Sequence, residues 1–171
     1  SNNLYIADRY NHRIMKWEAG AAVGTVVAGG NGNGSDLNQL RNPNGLVLDN
    51  SGSIYIADKG NNRIMKWVPG ASEGTIVFGG NNSSTNALNY VYQPNDIDID
   101  SQGNMYVVEQ YGHRVTKWLP GASFGIVVAG GNGAGTTMNQ LKYPNRLDID
   151  SLGNLYISDG YNSRIQKVQI S

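Results

Sequence analysis

Three triplets stand out along the 171-residue chain: Asp8 with Asn11 and Arg13, Asp58 with Asn61 and Arg63, and Asp159 with Asn162 and Arg164. A carboxylate, an amide and a guanidinium at this spacing can form a charge-assisted hydrogen-bond network. Such a network serves either as a ring of charged binding residues or as a tie across a chain reversal, and a triplet that returns at regular intervals reads as the tie. A second constellation is Asp96 and Asp98 with Arg146 and Asp148. Hard cations take carboxylate oxygens, so these residues suit a cation or a polar ligand; a wetted surface with Asp–Arg pairing would use the same residues. The run Asp96-Ile-Asp-Ile-Asp-Ser-Gln-Gly103 lacks the bidentate Glu that closes a calcium loop.

Little else in the sequence points to catalysis. Cysteine is absent, which removes thiol chemistry, Cys-ligated zinc and disulfides. His12 and His113 are the two histidines, too few for a three-histidine zinc site. No G-x-S-x-G nucleophile elbow occurs. The expectation is a protein that is not an enzyme, with no catalytic residue and no metal-ligand set. The 13 Lys+Arg balance 13 Asp+Glu, which argues against nucleic acid as a partner and against an anionic membrane surface. Lys16, Lys66, Lys117 and Lys167 are accordingly read as solvated or paired rather than as a basic stripe. No apolar run approaches the ~18 residues of a membrane span. No charged-then-apolar leader opens the sequence, so any secretion signal is expected to lie outside it.

The elements that must position these residues come from an internal repeat. LYIADRYNHRIMKW at 4–17 returns as IYIADKGNNRIMKW at 54–67, MYVVEQYGHRVTKW at 105–118 and LYISDGYNSRIQKV at 155–168. Their tyrosines, Tyr5, Tyr55, Tyr106 and Tyr156, fall 50, 51 and 50 residues apart. GTVVAGG at 24–30 repeats as GTIVFGG and GIVVAGG, and Asn42-Pro43-Asn44 as Gln93-Pro94-Asn95 and Tyr143-Pro144-Asn145. The 23 glycines and 22 asparagines weigh against helix, and β-branched and aromatic residues fill the segments between them. Each period reads as four short strands, a to d. Strand a covers 45–49, 96–100 and 146–150; strand c starts at Arg13, Arg63, Arg114 and Arg164. Between strands a and b, Asp49, Asp100 and Asp150 open turns that Gly52, Gly103 and Gly153 close. Leu37-Asn-Gln-Leu40, between strand d and the next strand a, is a candidate helical turn.

Four antiparallel strands per ~50 residues, in series, is the pattern of β-propeller blades, whose aligned apolar positions become core between blades. The blocks are a partial blade at 4–29, blades at 45–79 and 96–129, and a partial blade at 146–170. On this reading strand a lines the central channel. Asp98 and Asp148 then share a height on adjacent blades and Asp96 faces Arg146, which leaves a channel cation as the one cofactor to test for. Trp17, Trp67 and Trp118 end strand c and read as packing between blades, with Val168 as the fourth copy.

The Y-[IV]-[AVS]-[DE]-x-x-N-x-R-[IV]-x-K block, the P-x-x-[LI]-x-[LI]-D strand and the D-x-x-G turn together resemble the NHL-repeat family of β-propellers. The third copy departs from it, with Glu109 for Asp8 and Gly112 for Asn11, and its corner is expected to be less tightly tied. The resemblance implies an all-β propeller of about six blades. This chain would supply about three and a half of them, the rest coming from the same longer chain or another copy. It implies a non-enzymatic interaction or structural module that binds protein or glycan partners through its loop face and channel mouth. The long loops look like the extracellular variety, where Asn33, Asn81 and Asn82 would be glycosylation sites. The family also contains metal-dependent lyases and RNA-binding propellers. Arg9 and Lys59 would be the RNA-contacting candidates.

Overall fold

The structure, a computed structural model, describes residues 2–80 and 87–170. Asn81 and Asn82 lie outside the described residues. Four antiparallel sheets follow one another along the chain, each with its strands in sequence order. The first holds β1 (Leu4–Asp8), β2 (Arg13–Trp17) and β3 (Thr25–Gly29). The second holds β4 (Pro43–Leu48), β5 (Ile54–Asp58), β6 (Arg63–Trp67) and β7 (Thr75–Gly79). The third holds β8 (Pro94–Ile99), β9 (Met105–Glu109), β10 (Arg114–Trp118) and β11 (Ile126–Gly130), and the fourth β12 (Arg146–Ile149), β13 (Asn154–Asp159) and β14 (Arg164–Gln169). These are the blades read from the repeat. Strand a begins two residues earlier than its apolar pattern suggested in the middle blades, because Pro43 and Pro94 pair with Asp58 and Glu109 across a bulge.

The core lies between blades. Side chains alternate along a strand, so each blade sends one set of residues to the preceding blade and the other to the next. Ile54, Ile56 and Met65 pack with Ile14 and Ala28 of the first blade, whereas Ala57 and Ile64 pack with Val107 and Trp118 of the third. A third cluster joins Val108 and Val115 to Leu155 and Ile157. Both faces of a blade are therefore apolar, which is why strand b reads as a nearly continuous hydrophobic run. The first blade shows what a neighbour contributes: Leu4 is 58% exposed, whereas its equivalent Ile54 is 5% exposed.

Two details fix how strand d meets strand c. Gly24, Gly74 and Gly125 lie against the indoles of Trp17, Trp67 and Trp118 so closely that an added Cβ would overlap the rings. In addition, Phe78 of β7 stacks on Trp118 of the next blade, with ring centroids 4.1 Å apart and planes 2° from parallel. Trp67 and Trp118 are buried, as a packing role requires. The 37–40 segment is not a helical turn. The Gln39 N–H donates to the Asp36 carbonyl in a β-turn, and Leu40 is drawn fully into the core between the first two blades. Among the described residues no helix is long and apolar enough to cross a membrane.

Candidate ligand-binding face

The b-to-c corners and the d-to-a loops emerge on the same side of the sheets, since strand a starts where strand b ends. Three of the four corners carry a triplet. Asp58 accepts Asn61 Nδ2 at 2.8 Å and Arg63 Nε at 2.7 Å through one oxygen, and the Arg41 backbone N–H at 2.7 Å through the other. Arg63 also donates to the carbonyls of Ser35, Asp36 and Gln39, so it clamps the loop that leads into its own blade. Asp159, Asn162 and Arg164 repeat the arrangement on the carbonyls of Gly135, Thr136, Thr137 and Gln140. Asp8, Asn11 and Arg13 make the same contacts among themselves. Electrostatics follow exposure. Burial pushes the Asp58 carboxyl up, whereas the hydrogen bonds from Arg13 and Asn11 hold the Asp8 carboxyl down.

The third corner is tied as firmly as the others, contrary to the sequence expectation. Glu109 is fully buried and accepts Arg114 Nη2 at 2.8 Å and the Tyr92 N–H at 3.0 Å. Its extra methylene carries Oε1 to Thr116 Oγ1 at 2.8 Å, and that hydroxyl accepts Trp118 Nε1 at 3.0 Å. Thr116 stands where the first two blades have Met15 and Met65. At Gly112 an added Cβ would lie 3.2 Å from Glu109 Cβ and 3.5 Å from the Arg114 side chain, so the site is close-packed without an Asn.

The histidines staple neighbouring blades. His12 and His113 adopt left-handed backbone (φ 54° and 51°), and their Nδ1 atoms accept the backbone N–H of Asn42 and Tyr143 at 3.2 and 3.1 Å. Asn62 does the same for Gln93 with its side-chain oxygen at 2.9 Å. Burial lowers the His113 pKa, which keeps Nδ1 available as an acceptor. The lysine series is paired: Lys66, Lys117 and Lys167 lie over the rings of Tyr55, Tyr106 and Tyr156 at 5.0, 5.5 and 5.6 Å.

At the channel, the innermost strands β4, β8 and β12 run side by side. Asp96 accepts the Leu147 N–H at 3.1 Å and pairs with Arg146 at 3.3 Å, and Asp98 accepts the N–H groups of Ile99 and Ile149 at 2.8 and 3.0 Å. Carboxylates thus replace a strand ladder between the third and fourth blades. Gly45 makes room for Asp96, whose side chain a Cβ there would strike. Burial pushes both carboxyls up, and Asp148, itself exposed, adds to the effect on Asp98. Among the described residues no three His, Asp or Glu side chains gather as a metal site. Asn33 is exposed, and its Oδ1 accepts Arg41 Nε at 3.0 Å.

Two features of this face went unread in the sequence. The first is an amide chain at the mouth of the channel. Asn44 donates to the Asn95 carbonyl at 2.8 Å and Asn95 to the Asn145 carbonyl at 2.7 Å. Lys59, 7% exposed, donates to Asn95 Oδ1 at 2.7 Å and Gln110 Oε1 at 2.6 Å, and Gln110 reaches Asn145 Oδ1 at 2.8 Å. Burial, reinforced by Arg9 and Arg146, pulls the Lys59 pKa down to about 8. The second feature is an aromatic row: Tyr92, Tyr111, Tyr143 and Tyr161, with successive centroids 6.2, 5.5 and 4.7 Å apart, and His113 edge-on to Tyr143. Tyr111 and Tyr161 are exposed. The signal for the first was divergence between repeats, and for the second the return of tyrosine in three of four copies. Arg9, Lys59, Gln110 and Gly160 occupy one repeat position, and Tyr10, Gly60, Tyr111 and Tyr161 the next.

Serial antiparallel blades, two of four strands between two of three, packed face to face around a line of inner strands define a β-propeller arc. The NHL-repeat family model matches residues 40–67 and 141–168, which are strands a to c of the second and fourth blades, so these two blades carry NHL repeats. Its fold is similar to that of a protein of unknown function from Bacteroides thetaiotaomicron (TM-score 0.80, 20% identity, 99% of this chain and 44% of that one). It is similar also to a chain of the nidogen/laminin complex (TM-score 0.70, 19% identity, 98% and 55%) and to a gluconolactonase from Xanthomonas campestris (TM-score 0.73, 16% identity, 99% and 55%). The chain spans about half the length of these structures. No curated protein sequence matches it.

Proposed function

We propose that the chain is part of a non-enzymatic interaction module that holds a protein or glycan partner on its corner face and channel mouth. The observation that carries this reading is a division of labour between repeats. Residues at recurring framework positions are spent on the fold: the acid–Arg corners clamp loops, His12, Asn62 and His113 staple blades, and Lys66, Lys117 and Lys167 lie on tyrosines. Outside that framework, exposed tyrosines gather on one face beside amides and cations that differ between copies. Exposed aromatic rings flanked by polar groups are what binding surfaces concentrate. A similarly folded chain in the nidogen/laminin complex supports a protein partner, and the similar gluconolactonase makes lactone hydrolysis the activity to test against. The experiment is a binding screen over matrix proteins and oligosaccharides, repeated with Tyr111→Ala/Tyr161→Ala, alongside a gluconolactone hydrolysis assay. Binding that the double substitution weakens, without turnover, is expected. Turnover without face-dependent binding would overturn the reading.

A further inference from the structure

The mouth of the channel has an electrostatic character that the rest of the chain lacks. Arg9, Lys59 and Arg146 gather there, in a protein whose charges balance as a whole. The acid paired at this mouth, Asp96, is engaged with Arg146 and a backbone N–H. The Lys59 ammonium is held by two neutral amide oxygens, from Asn95 and Gln110. The Nε of Arg9 is buried without a hydrogen-bond partner among the described residues. A buried cation with neutral partners and a guanidinium N–H with none leave an electrostatic deficit that an anion would fill. Neutral acceptors fix the ammonium in place without neutralising it, so the positive potential stays available to a ligand.

Beside this deficit runs the aromatic row. Gln110 contacts Lys59 and is followed in sequence by Tyr111, so the cationic mouth and the tyrosines meet at the corner of the third blade. Tyr111 and Tyr161 are 49% and 69% exposed, and both flank Tyr143, which holds them as a shelf. Aromatic faces are electron-rich and take the apolar, electropositive C–H face of a sugar ring, while amides such as Gln110 and Asn145 suit hydroxyl groups.

We propose that this mouth binds an acidic saccharide, whose carboxylate lies against Lys59 and Arg9 and whose sugar ring stacks on the Tyr111–Tyr161 shelf. The proposal rests on the interaction-module reading and names its ligand class. The test is calorimetric titration of the whole chain with oligogalacturonate, oligoglucuronate and a sialylated oligosaccharide, each against its methyl ester. The ester keeps the ring and removes the charge. At least one acid should bind, and its ester about tenfold to a hundredfold more weakly, as the loss of a charge-assisted contact dictates. Lys59→Met should shrink the difference between acid and ester to that left by Arg9. Tyr161→Ala, at a side chain already mostly in solvent, should weaken acid and ester alike by about tenfold without altering the fold. Equal binding of acid and ester would overturn the proposal, as would silence from all three acids. If a neutral glycan or a protein binds with sensitivity to Tyr111→Ala/Tyr161→Ala but not to Lys59→Met, the acidic-ligand proposal fails and the interaction module stands. If gluconolactone is turned over and nothing binds this face, both fail.

Discussion

Replacing Thr116 by Val tests whether the third corner was rebuilt around a longer acid. The substitution keeps shape and volume and removes one hydroxyl. That hydroxyl donates to Glu109 Oε1 at 2.8 Å and accepts Trp118 Nε1 at 3.0 Å, and all three residues are fully buried. Val therefore strands one charged acceptor and one indole N–H away from water. Each buried group left unsatisfied costs ~1–3 kcal/mol, with the carboxylate at the upper end, so the total is ~2–5 kcal/mol. The partner experiment installs the pair of the first two blades, Glu109→Asp with Thr116→Met. Shortening the acid withdraws Oε1 from position 116, so methionine there no longer faces a carboxylate. The double variant should be ~1–3 kcal/mol more stable than the sum of its single substitutions predicts, a coupling typical of residues in one network. Urea unfolding, followed by tryptophan fluorescence and near-ultraviolet circular dichroism, reads both quantities. A Thr116→Val cost below ~0.5 kcal/mol, or strictly additive single substitutions, would refute the compensation.

Two further perturbations bear on the corners. His113 holds its blade to the next through an unprotonated Nδ1, and burial lowers its pKa below the ordinary value of 6.5. The unfolded chain then binds more protons than the folded one as pH falls below that value, so this contribution to stability is present above it and is lost on acidification. His113→Asn, the residue that serves the second blade as Asn62, should flatten the pH dependence of the melting temperature between about pH 5 and 7; an unchanged slope would remove the staple from consideration. Arg63→Ala leaves the buried Asp58 unpaired and releases three carbonyls of the preceding loop, at a cost of ~3–5 kcal/mol, with faster amide exchange across 34–39. The same change at Arg164, which is more exposed, should cost less; equal costs would mean that burial does not set the strength of the tie.

Much of the architecture was legible in the sequence because it is written four times. The repeated tyrosines set the period, Asp8, Asp58 and Asp159 marked the corners, and the starts of strand c at Arg13, Arg63, Arg114 and Arg164 agree with the observed strands. The facing of Asp96 and Arg146 followed from alternation on inner strands. Other details were not legible. Strand a extends back to Pro43 and Pro94 because a bulge, which no composition rule announces, lets each proline pair with the end of strand b. The 37–40 segment had the composition of a helical turn, and burial of Leu40 pulled it into a β-turn instead. Glu109 and Gly112 read as a weakened corner until Thr116, seven residues from Glu109, proved to be the compensating donor.

The candidate site divides along the same line. Local spacing along a strand is short-range information, and by itself it determined a propeller of antiparallel blades, the corner triplets and the turns that Asp49, Asp100 and Asp150 open. The mouth is a contact between residues of successive blades: Lys59 with Asn95 and Gln110, and Tyr111 with Tyr143. Only the packing of one blade on the next brings such positions within hydrogen-bonding reach. The angle of that packing is set by side chains that meet across the interface, such as Phe78 on Trp118, and it leaves no periodic trace in the sequence.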